Sequence, residues 1–332
     1  MNRTNRRTFI TIQISLALII SSCQPVTSIP SSPIPPIYNK ESTKPPSHNL
    51  TPVPRVVTQS LPTSDPNLAY WWFGFTPTVS PVQVRAIKDI PYNSAMLMDI
   101  YRPSQSGDWP VAVIFHGNGE AKWSMGELAS AISSLGVVVF VPSLTTSPPK
   151  DESTGIAHIT QGQEEAACSI RFARKNASSY GTSSDVLIVV GYSLGGLMGA
   201  LMALAGNQFH GDCLVEEGSA VPDAFVGLDG GYDPVPFIPE EVINADPKAV
   251  LSINPYYYLS LPLPKKEVPV YLFVGSYERA RRNGQAFRDS LQELGVSVEL
   301  IQIPGVDHFD MEKPHQEVLD LISEILPILK IH

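Results

Sequence analysis

The pentapeptide Gly191-Tyr192-Ser193-Leu194-Gly195 follows the apolar run Val186-Leu187-Ile188-Val189-Val190 and precedes a run of small and apolar residues that starts at Gly196. This order predicts a buried strand, a tight turn and a helix. Glycines two positions to either side of Ser193 keep bulky side chains out of the turn, which presents the serine hydroxyl at the C-terminal end of the strand. The stretch therefore predicts that Ser193 is a nucleophile above the N-terminus of a helix.

Strands and helices alternate along the chain on both sides of this stretch. Strands are predicted near 82–88, 96–101, 111–115, 137–141, 186–190, 224–228, 270–274 and 298–303, and helices near 126–134, 161–176, 195–205, 285–294 and 315–329. The later strands are continuous apolar runs, which is typical of parallel strands buried on both faces. Only Ile90–Ala95 separates the first two strands, which favours an antiparallel hairpin. The pattern predicts a doubly wound, mostly parallel eight-stranded α/β sheet flanked by helices.

The composition excludes some classes of partner and cofactor. The 332 residues are 43% hydrophobic, with 23 basic and 32 acidic side chains and a net charge of −9. Without a basic face to neutralise phosphates, nucleic acid is not an expected partner. No cluster of cysteine and histidine has the spacing of metal ligands, so the expected chemistry uses no metal and no organic cofactor.

The first residues have the pattern of an export signal. Three arginines among the first seven residues precede an apolar stretch, Ile10–Ile20, which is too short to span a bilayer. The tetrapeptide Ile20-Ser21-Ser22-Cys23 resembles a bacterial lipobox, which implies that residues 1–22 are removed and Cys23 is lipidated. Asn5–Ile10 also resembles a twin-arginine export signal. We therefore expect an exported lipoprotein anchored to a membrane, with an ordinary secretory signal as the alternative.

A linker and a folded domain are predicted after the signal. Residues 24–66 contain eleven prolines together with many serines and threonines, and they show no apolar periodicity. This composition indicates an extended tether over residues 23–68, so the folded domain is predicted over 69–332. Within it, the long segment 233–266, with its Tyr256-Tyr257-Tyr258 run, is either a lid over an apolar site or packing material.

Cys168 and Cys213 are the two cysteines of the predicted domain. Export places them in an oxidising compartment, where cysteines often pair. Cys168 lies on the predicted helix before the Ser193 strand, and Cys213 follows the helix after it. Because these helices should pack side by side on one face of the sheet, a disulfide is possible. Two separate buried thiols are the alternative.

A serine nucleophile needs a base, and the base needs an acid that orients it. His308 is the candidate base because it lies between the last strand and the last helix, at the sheet edge where Ser193 is expected. Glu278 is the preferred acid because it follows the seventh strand and gives the chain order serine, acid, histidine. Asp229 and Asp233, after the sixth strand, are the alternative acids, in which case Glu278 forms a surface ion pair with Arg279, Arg281 or Arg282.

An acyl-transfer site also needs N–H donors for the developing oxyanion. The backbone N–H of Leu194, directly after the nucleophile, is one candidate donor. The loop after the third strand, His116-Gly117-Asn118-Gly119, supplies the other, which we place at Asn118. His116 itself is interpreted as a structural turn histidine with no part in proton transfer.

Together these motifs resemble the α/β-hydrolase superfamily, in particular its esterases. The resemblance extends over about 69–332 and includes Met98–Pro103, which looks like the second strand of carboxylesterase-like members. Asn118 stands where lipases and esterases have glycine, and Glu278 where most members have aspartate. The resemblance implies hydrolysis of a small-molecule or lipid-like ester through an acyl-enzyme. An amidase or peptidase with the same triad and a non-catalytic binding module are the alternatives.

Overall fold

The protein is described here by a computed structural model for residues 82–147, 156–261 and 268–330. The predicted signal (1–22), the predicted tether (23–68), Cys23 and residues 69–81 lie outside the described residues. The strands are β1 (Val84–Pro91), β2 (Leu97–Pro103), β3 (Val111–Phe115), β4 (Val138–Pro142), β5 (Leu187–Tyr192), β6 (Ala224–Leu228), β7 (Val270–Val274) and β8 (Val298–Gln302). The α-helices are α1 (Gly126–Ser134), α2 (Ala157–Asn176), α3 (Leu194–Ala205), α4 (Glu240–Ala245), α5 (Pro247–Ser252), α6 (Pro255–Leu259), α7 (Glu278–Glu293) and α8 (Gln316–Leu329).

The eight strands form one sheet in the order β1-β2-β4-β3-β5-β6-β7-β8. The pairs β1–β2 and β2–β4 are antiparallel, and the pairs from β4 onward are parallel. This confirms the predicted doubly wound, mostly parallel sheet and the predicted hairpin at its start. The carboxyl ends of β5, β6, β7 and β8 meet at one edge, where ligands bind in open α/β sheets.

The sheet is buried on both faces, as the continuous apolar strands predict. Alternate residues of β3 and β5 point to opposite faces, so that Val189 joins one apolar cluster while Ile188 and Val190 join the other. Helices α2, α3 and α7 cover the first face, and α1 and α8 cover the second. Each fully buried valine, leucine or isoleucine contributes about 1.5–3 kcal/mol. The central strands are therefore a stable platform for the loops at the carboxyl edge.

Two helical regions differ from the sequence prediction. Helix α7 begins at Glu278, about two turns before the predicted start, and three short helices occupy 240–259. The first turn of α7 is rich in charge, and only Ala280, Gly284, Phe287 and Leu291 along the helix are buried. Such a sparse apolar stripe is easily missed by a search for periodicity.

Cys168 and Cys213 form a disulfide, with their Cα atoms 5.0 Å apart. Cys168 is fully buried in α2, and Cys213 follows the 3₁₀ turn Gly206–Gln208 at the end of α3. The bond ties the segment after α3 back to α2. In the described parts of the chain, no helix has the length and apolar character needed to cross a membrane.

Candidate active site

Ser193 occupies a strained turn between β5 and α3. Its backbone angles are φ 53° and ψ −115°, an unusual conformation for a residue with a side chain. A Cβ at Gly191 would lie 2.2 Å from the Gly195 carbonyl oxygen, and a Cβ at Gly195 would lie 2.3 Å from the Phe115 carbonyl oxygen. Glycine is therefore required at both positions, and the close packing holds the serine in place.

The turn is also fixed to the neighbouring strand. The Ser193 N–H donates to the Leu228 carbonyl at 2.9 Å, and the Gly231 N–H donates to the Ser193 carbonyl at 3.2 Å. These bonds link the turn to the end of β6 and to the residues that follow it. The position of Ser193 thus depends on the same segment that carries Asp229.

His308 lies on the loop between β8 and α8, within hydrogen-bond distance of the serine. Its Nε2 is 3.0 Å from Ser193 Oγ. The imidazole lies among the rings of Tyr192, Tyr277 and Phe309, with ring centroids 5.2, 5.4 and 5.8 Å away. The structure therefore brings the predicted nucleophile and the predicted base together.

Asp229 is the acid beside this histidine. His308 Nδ1 is 3.3 Å from Asp229 Oδ2, and the side chain of Asp229 is 0% exposed. A carboxylate only accepts hydrogen bonds, so Nδ1 carries the proton and Nε2 presents its lone pair to the serine hydroxyl. Asp229 follows β6 directly and has φ 47°, a second strained non-glycine residue at this edge. The three side chains thus form a hydrogen-bonded chain in the order serine, histidine, aspartate.

The preferred acid, Glu278, is not beside His308, so that assignment is wrong for this structure. Glu278 is the first residue of α7, its side chain is 60% exposed, and it forms an ion pair with Arg282 one turn along the helix. Asp233 is not the acid either, because His308 Nδ1 faces Asp229 Oδ2, while Asp233 Oδ1 accepts the Val235 N–H at 3.2 Å within its own turn. Of the alternatives left open by the sequence, the structure favours Asp229.

Of the two predicted oxyanion donors, Leu194 directly follows the serine, and the loop that carries Asn118 begins against the same turn, because a Cβ at Gly195 would lie 2.7 Å from the His116 carbonyl oxygen. Leu194 is the first residue of α3, where a backbone N–H has no acceptor within the helix. In the loop after β3, the Gly117 N–H donates to Glu120 Oε2 at 3.0 Å, and the Gly119 N–H donates to Thr146 Oγ1 at 3.2 Å. The N–H groups on both sides of Asn118 are therefore engaged within the fold, and the Asn118 N–H stays the predicted second donor.

The loop after β3, residues 116–120, is called the oxyanion loop here. Residues after β4 support it. The Leu144 N–H donates to His116 Nε2 at 2.9 Å, and Ser147 Oγ donates to Asn118 Oδ1 at 3.2 Å. Burial lowers the pKa of His116, which keeps the ring neutral, with its Nδ1 proton directed at the Gly117 carbonyl. His116 therefore positions the loop, in agreement with its interpretation as a structural residue.

Glu165 is a supporting residue that the sequence analysis missed. Its carboxyl accepts the backbone N–H of Thr145 at 2.5 Å, the Thr145 hydroxyl at 2.9 Å and the Gln161 amide at 2.9 Å. Burial raises the pKa of Glu165, although these three donors oppose the shift. Glu165 lies on α2, more than forty residues from the oxyanion loop, and no local motif marks it.

A cavity of about 500 Å³ opens onto Ser193, Asp229 and His308. Its wall includes Phe237 and Phe309, which are 57% and 78% exposed. The Arg279 guanidinium stacks on the Phe237 ring at 3.6 Å from its centroid. The cavity therefore has exposed aromatic surface and one stacked cation close to the nucleophile.

The segment 233–266 contributes to both the cavity and the core. Phe237 lines the cavity, whereas Tyr258 is buried and Tyr256 and Tyr257 pack against the apolar cluster under α3. The tyrosine run thus serves packing, and the part of the segment nearest β6 reaches the site. Residues 262–267 lie outside the described ranges.

Comparisons with known proteins agree with this architecture. The BD-FAE family model matches residues 98–226, a range that contains Ser193 and ends before Asp229. An esterase from the Planctomycetes species Thermogutta terrifontis, in its butyrate-bound structure, superposes with a TM-score of 0.59 at 15% identity, over 74% of this chain and 94% of that chain. The chain has the α/β-hydrolase fold.

Other structures with this fold are similar to the chain to the same degree. Esterase B from Lactobacillus rhamnosis, solved with a tributyrin phosphonate, gives a TM-score of 0.59 at 15% identity, over 76% of this chain and 87% of that chain. A comparison with curated proteins finds no match. An α/β-hydrolase fold supports many chemistries, so the chemistry depends on the residues of the site.

Proposed function

We propose that the protein is a serine hydrolase that cleaves carboxylic esters through an acyl-enzyme intermediate. The observation that carries this proposal is the hydrogen-bonded chain from Ser193 Oγ through His308 to the buried Asp229, with distances of 3.0 and 3.3 Å, at the wall of the cavity. A nucleophile, a base and an orienting acid in this geometry are the parts needed for acyl transfer.

In the acylation step, His308 Nε2 takes the proton of Ser193 as its oxygen attacks the ester carbonyl. Asp229 holds the Nδ1 proton and stabilises the imidazolium that forms. The backbone N–H groups of Leu194 and Asn118 donate to the oxyanion, where a single lost donor costs roughly 10²–10³ in kcat. The imidazolium then protonates the departing alcohol.

In the deacylation step, water attacks the acyl-enzyme with His308 again acting as base, and Ser193 leaves with its proton restored. The solved structures with this fold include one esterase with bound butyrate and another inhibited by a tributyrin phosphonate. These ligands support an ester as the substrate. An amide is harder to cleave, because its amine must be protonated before it can leave. Turnover of a matched ester and amide distinguishes the two.

We also propose that the enzyme is exported and tethered to a membrane by a lipid on Cys23. The lipobox-like sequence and the proline-rich segment support this proposal, as does the Cys168–Cys213 disulfide, which is typical of an oxidising compartment. We expect wild-type protein to separate with the membrane fraction in a lipoprotein-processing bacterium, and Cys23→Ser protein to be released. Equal membrane association of both would contradict the lipid anchor.

The test of the hydrolase proposal is hydrolysis of short-chain and medium-chain p-nitrophenyl esters by the full chain. We expect turnover by the wild type and its loss in Ser193→Ala. A fluorophosphonate probe should label the wild type stoichiometrically and leave Ser193→Ala unlabelled. A folded wild type that neither turns over the esters nor reacts with the probe would refute a serine hydrolase.

A further inference from the structure

Two glutamates connect the oxyanion loop to the loop that carries His308. Glu120 Oε2 accepts the Gly117 N–H at 3.0 Å and the Ser124 hydroxyl at 2.9 Å, which fixes its carboxyl at the end of the oxyanion loop. The carboxyl of Glu312 is within hydrogen-bond contact of Glu120. Glu312 lies four residues after His308, so the contact joins two segments that are far apart in sequence.

The loop around Glu312 is firmly held. Met311, its neighbour, is fully buried against the second face of the sheet, and the Met311 N–H donates to the His308 carbonyl at 3.3 Å. The imidazole of His315 is also 2.8 Å from the Asp310 carbonyl. A displacement of Glu312 would therefore be transmitted to the backbone of His308.

The contact between the two carboxyls requires a proton. Oε2 of Glu312 is shielded from solvent, and no N–H or O–H donor among the described residues reaches it. Two ionised carboxylates in contact repel each other, whereas one shared proton turns the contact into a hydrogen bond. Burial, with the charge of Glu120 as the next cause, raises the pKa of Glu312 to about 7.

Other charged groups near the pair do not remove this requirement. Glu127 on α1 adds a further negative charge, and Lys313 adds a positive charge that is also paired with Asp310. Tyr192 faces both carboxyls from β5, and its own pKa is raised by burial and by the negative charges around it, Glu120 first among them. Lys313 opposes the shift at Glu312 but does not cancel it.

We propose that Glu120 and Glu312 are positioning residues. While they share a proton, they hold the oxyanion loop at a fixed position relative to His308. Loss of this proton separates the carboxyls, and the Gly117 end of the oxyanion loop moves with Glu120. The oxyanion donors then no longer match the position of the developing charge, and acylation slows. The inference rests on the proposed hydrolase function, since it concerns the same site.

The test compares the pH dependence of kcat/KM for a p-nitrophenyl ester between wild type and Glu312→Gln. A glutamine amide donates to Glu120 at every pH, so the variant should keep its rate above pH 8. The kcat/KM of the wild type should fall by roughly tenfold above pH 8. This is less than the ~100-fold loss that a displacement of about 1 Å causes. Glu317→Gln, which removes an exposed charge at the start of α8, is the matched control and should follow the wild type.

Coinciding alkaline limbs for wild type and Glu312→Gln would overturn the inference and leave the hydrolase proposal intact. If Glu312→Gln fails to fold, Glu120→Gln poses the same question, because its amide donates to Glu312 instead. The shared proton also has a readout that needs no activity. Its stabilisation is present at low pH and is lost as the pH rises through about 7, so the wild-type Tm should decrease relative to Glu312→Gln between pH 5 and pH 8.5. Parallel Tm profiles would exclude the shared proton, even if the wild type hydrolysed no ester.

Discussion

Asp229, directly after β6, accepts a hydrogen bond of 2.9 Å from the backbone N–H of Gly275, directly after β7. The same carboxylate faces His308 with its other oxygen. One buried side chain therefore connects the ends of two neighbouring strands to the loop that carries His308. This arrangement orients the carboxylate before any substrate binds, which is the condition for effective electrostatic support of an imidazolium.

The first prediction separates the two candidate acids. Asp229→Asn leaves the packing intact but lets the amide donate to His308, which favours the wrong tautomer, so kcat should drop by about 10⁴. Glu278→Gln, which breaks only an exposed ion pair, should leave kcat within about twofold of the wild type. Steady-state kinetics with one ester decides between them, and the reverse pattern would restore Glu278 as the acid.

The second prediction concerns the support of the oxyanion loop. Thr146→Val removes the acceptor of the Gly119 N–H, so we expect kcat to fall by about tenfold with little change in KM. Thr146→Ser keeps the hydroxyl and should recover most of the rate. Equal kcat values in the valine and serine variants would show that the loop does not depend on this bond.

The third prediction concerns the turn at Ser193. A Cβ at position 195 would lie 2.3 Å from the Phe115 carbonyl oxygen, so Gly195→Ala should destabilise the fold by about 1–3 kcal/mol and displace the serine. Gly231→Ala is the matched control, because a Cβ there meets no atom within 4 Å. Urea unfolding gives both free energies, and equal values would refute the close packing.

The fourth prediction concerns the disulfide. Cys168 and Cys213 are 45 residues apart, so the bond should stabilise the fold by about 4 kcal/mol in the chain-entropy description. We expect the double variant Cys168→Ala and Cys213→Ala to unfold at lower urea while it hydrolyses esters at the wild-type rate at 25 °C. Unchanged stability relative to the oxidised wild type would argue that the bond does not form.

The fifth prediction concerns the cavity wall. Phe237→Ala removes the exposed ring under Arg279, so the cavity should accept longer acyl chains. Each further methylene that becomes buried should raise the relative kcat/KM by about fourfold, equivalent to about 0.8 kcal/mol. Leu251→Ala, an exposed position outside the cavity lining, is the control for general effects of truncation. An unchanged chain-length profile would place the acyl group elsewhere.

The sheet and the Ser193 turn could be predicted because their signals are local. Continuous apolar strands and a glycine-flanked serine each require a particular backbone, and the structure has both. His308 could be proposed from its place between the last strand and the last helix. These predictions need only the order of the strands and helices and the rule that parallel strands end at one edge of the sheet.

The acid could not be decided from the order of elements alone, because Asp229 and Glu278 both follow parallel strands at that edge. The difference lies in what comes next. Glu278 has an arginine four residues later and starts a helix, so its side chain pairs along that helix. Asp229 precedes two glycines, and the turn they form directs its side chain beneath His308. Glu165 and Glu312 could not be found at all, because their partners come from distant segments.

The location of Asp229 after β6 also affects how the proposed hydrolase could change. The first turn of α7, with Arg279, lines the cavity but contributes no residue to the hydrogen-bonded chain of Ser193, His308 and Asp229. Selection, or a directed library at these helix positions, could therefore alter substrate range without disturbing the chemical step. In a hydrolase whose acid follows β7, a change in the first turn of α7 would affect the chemical step as well as the substrate range.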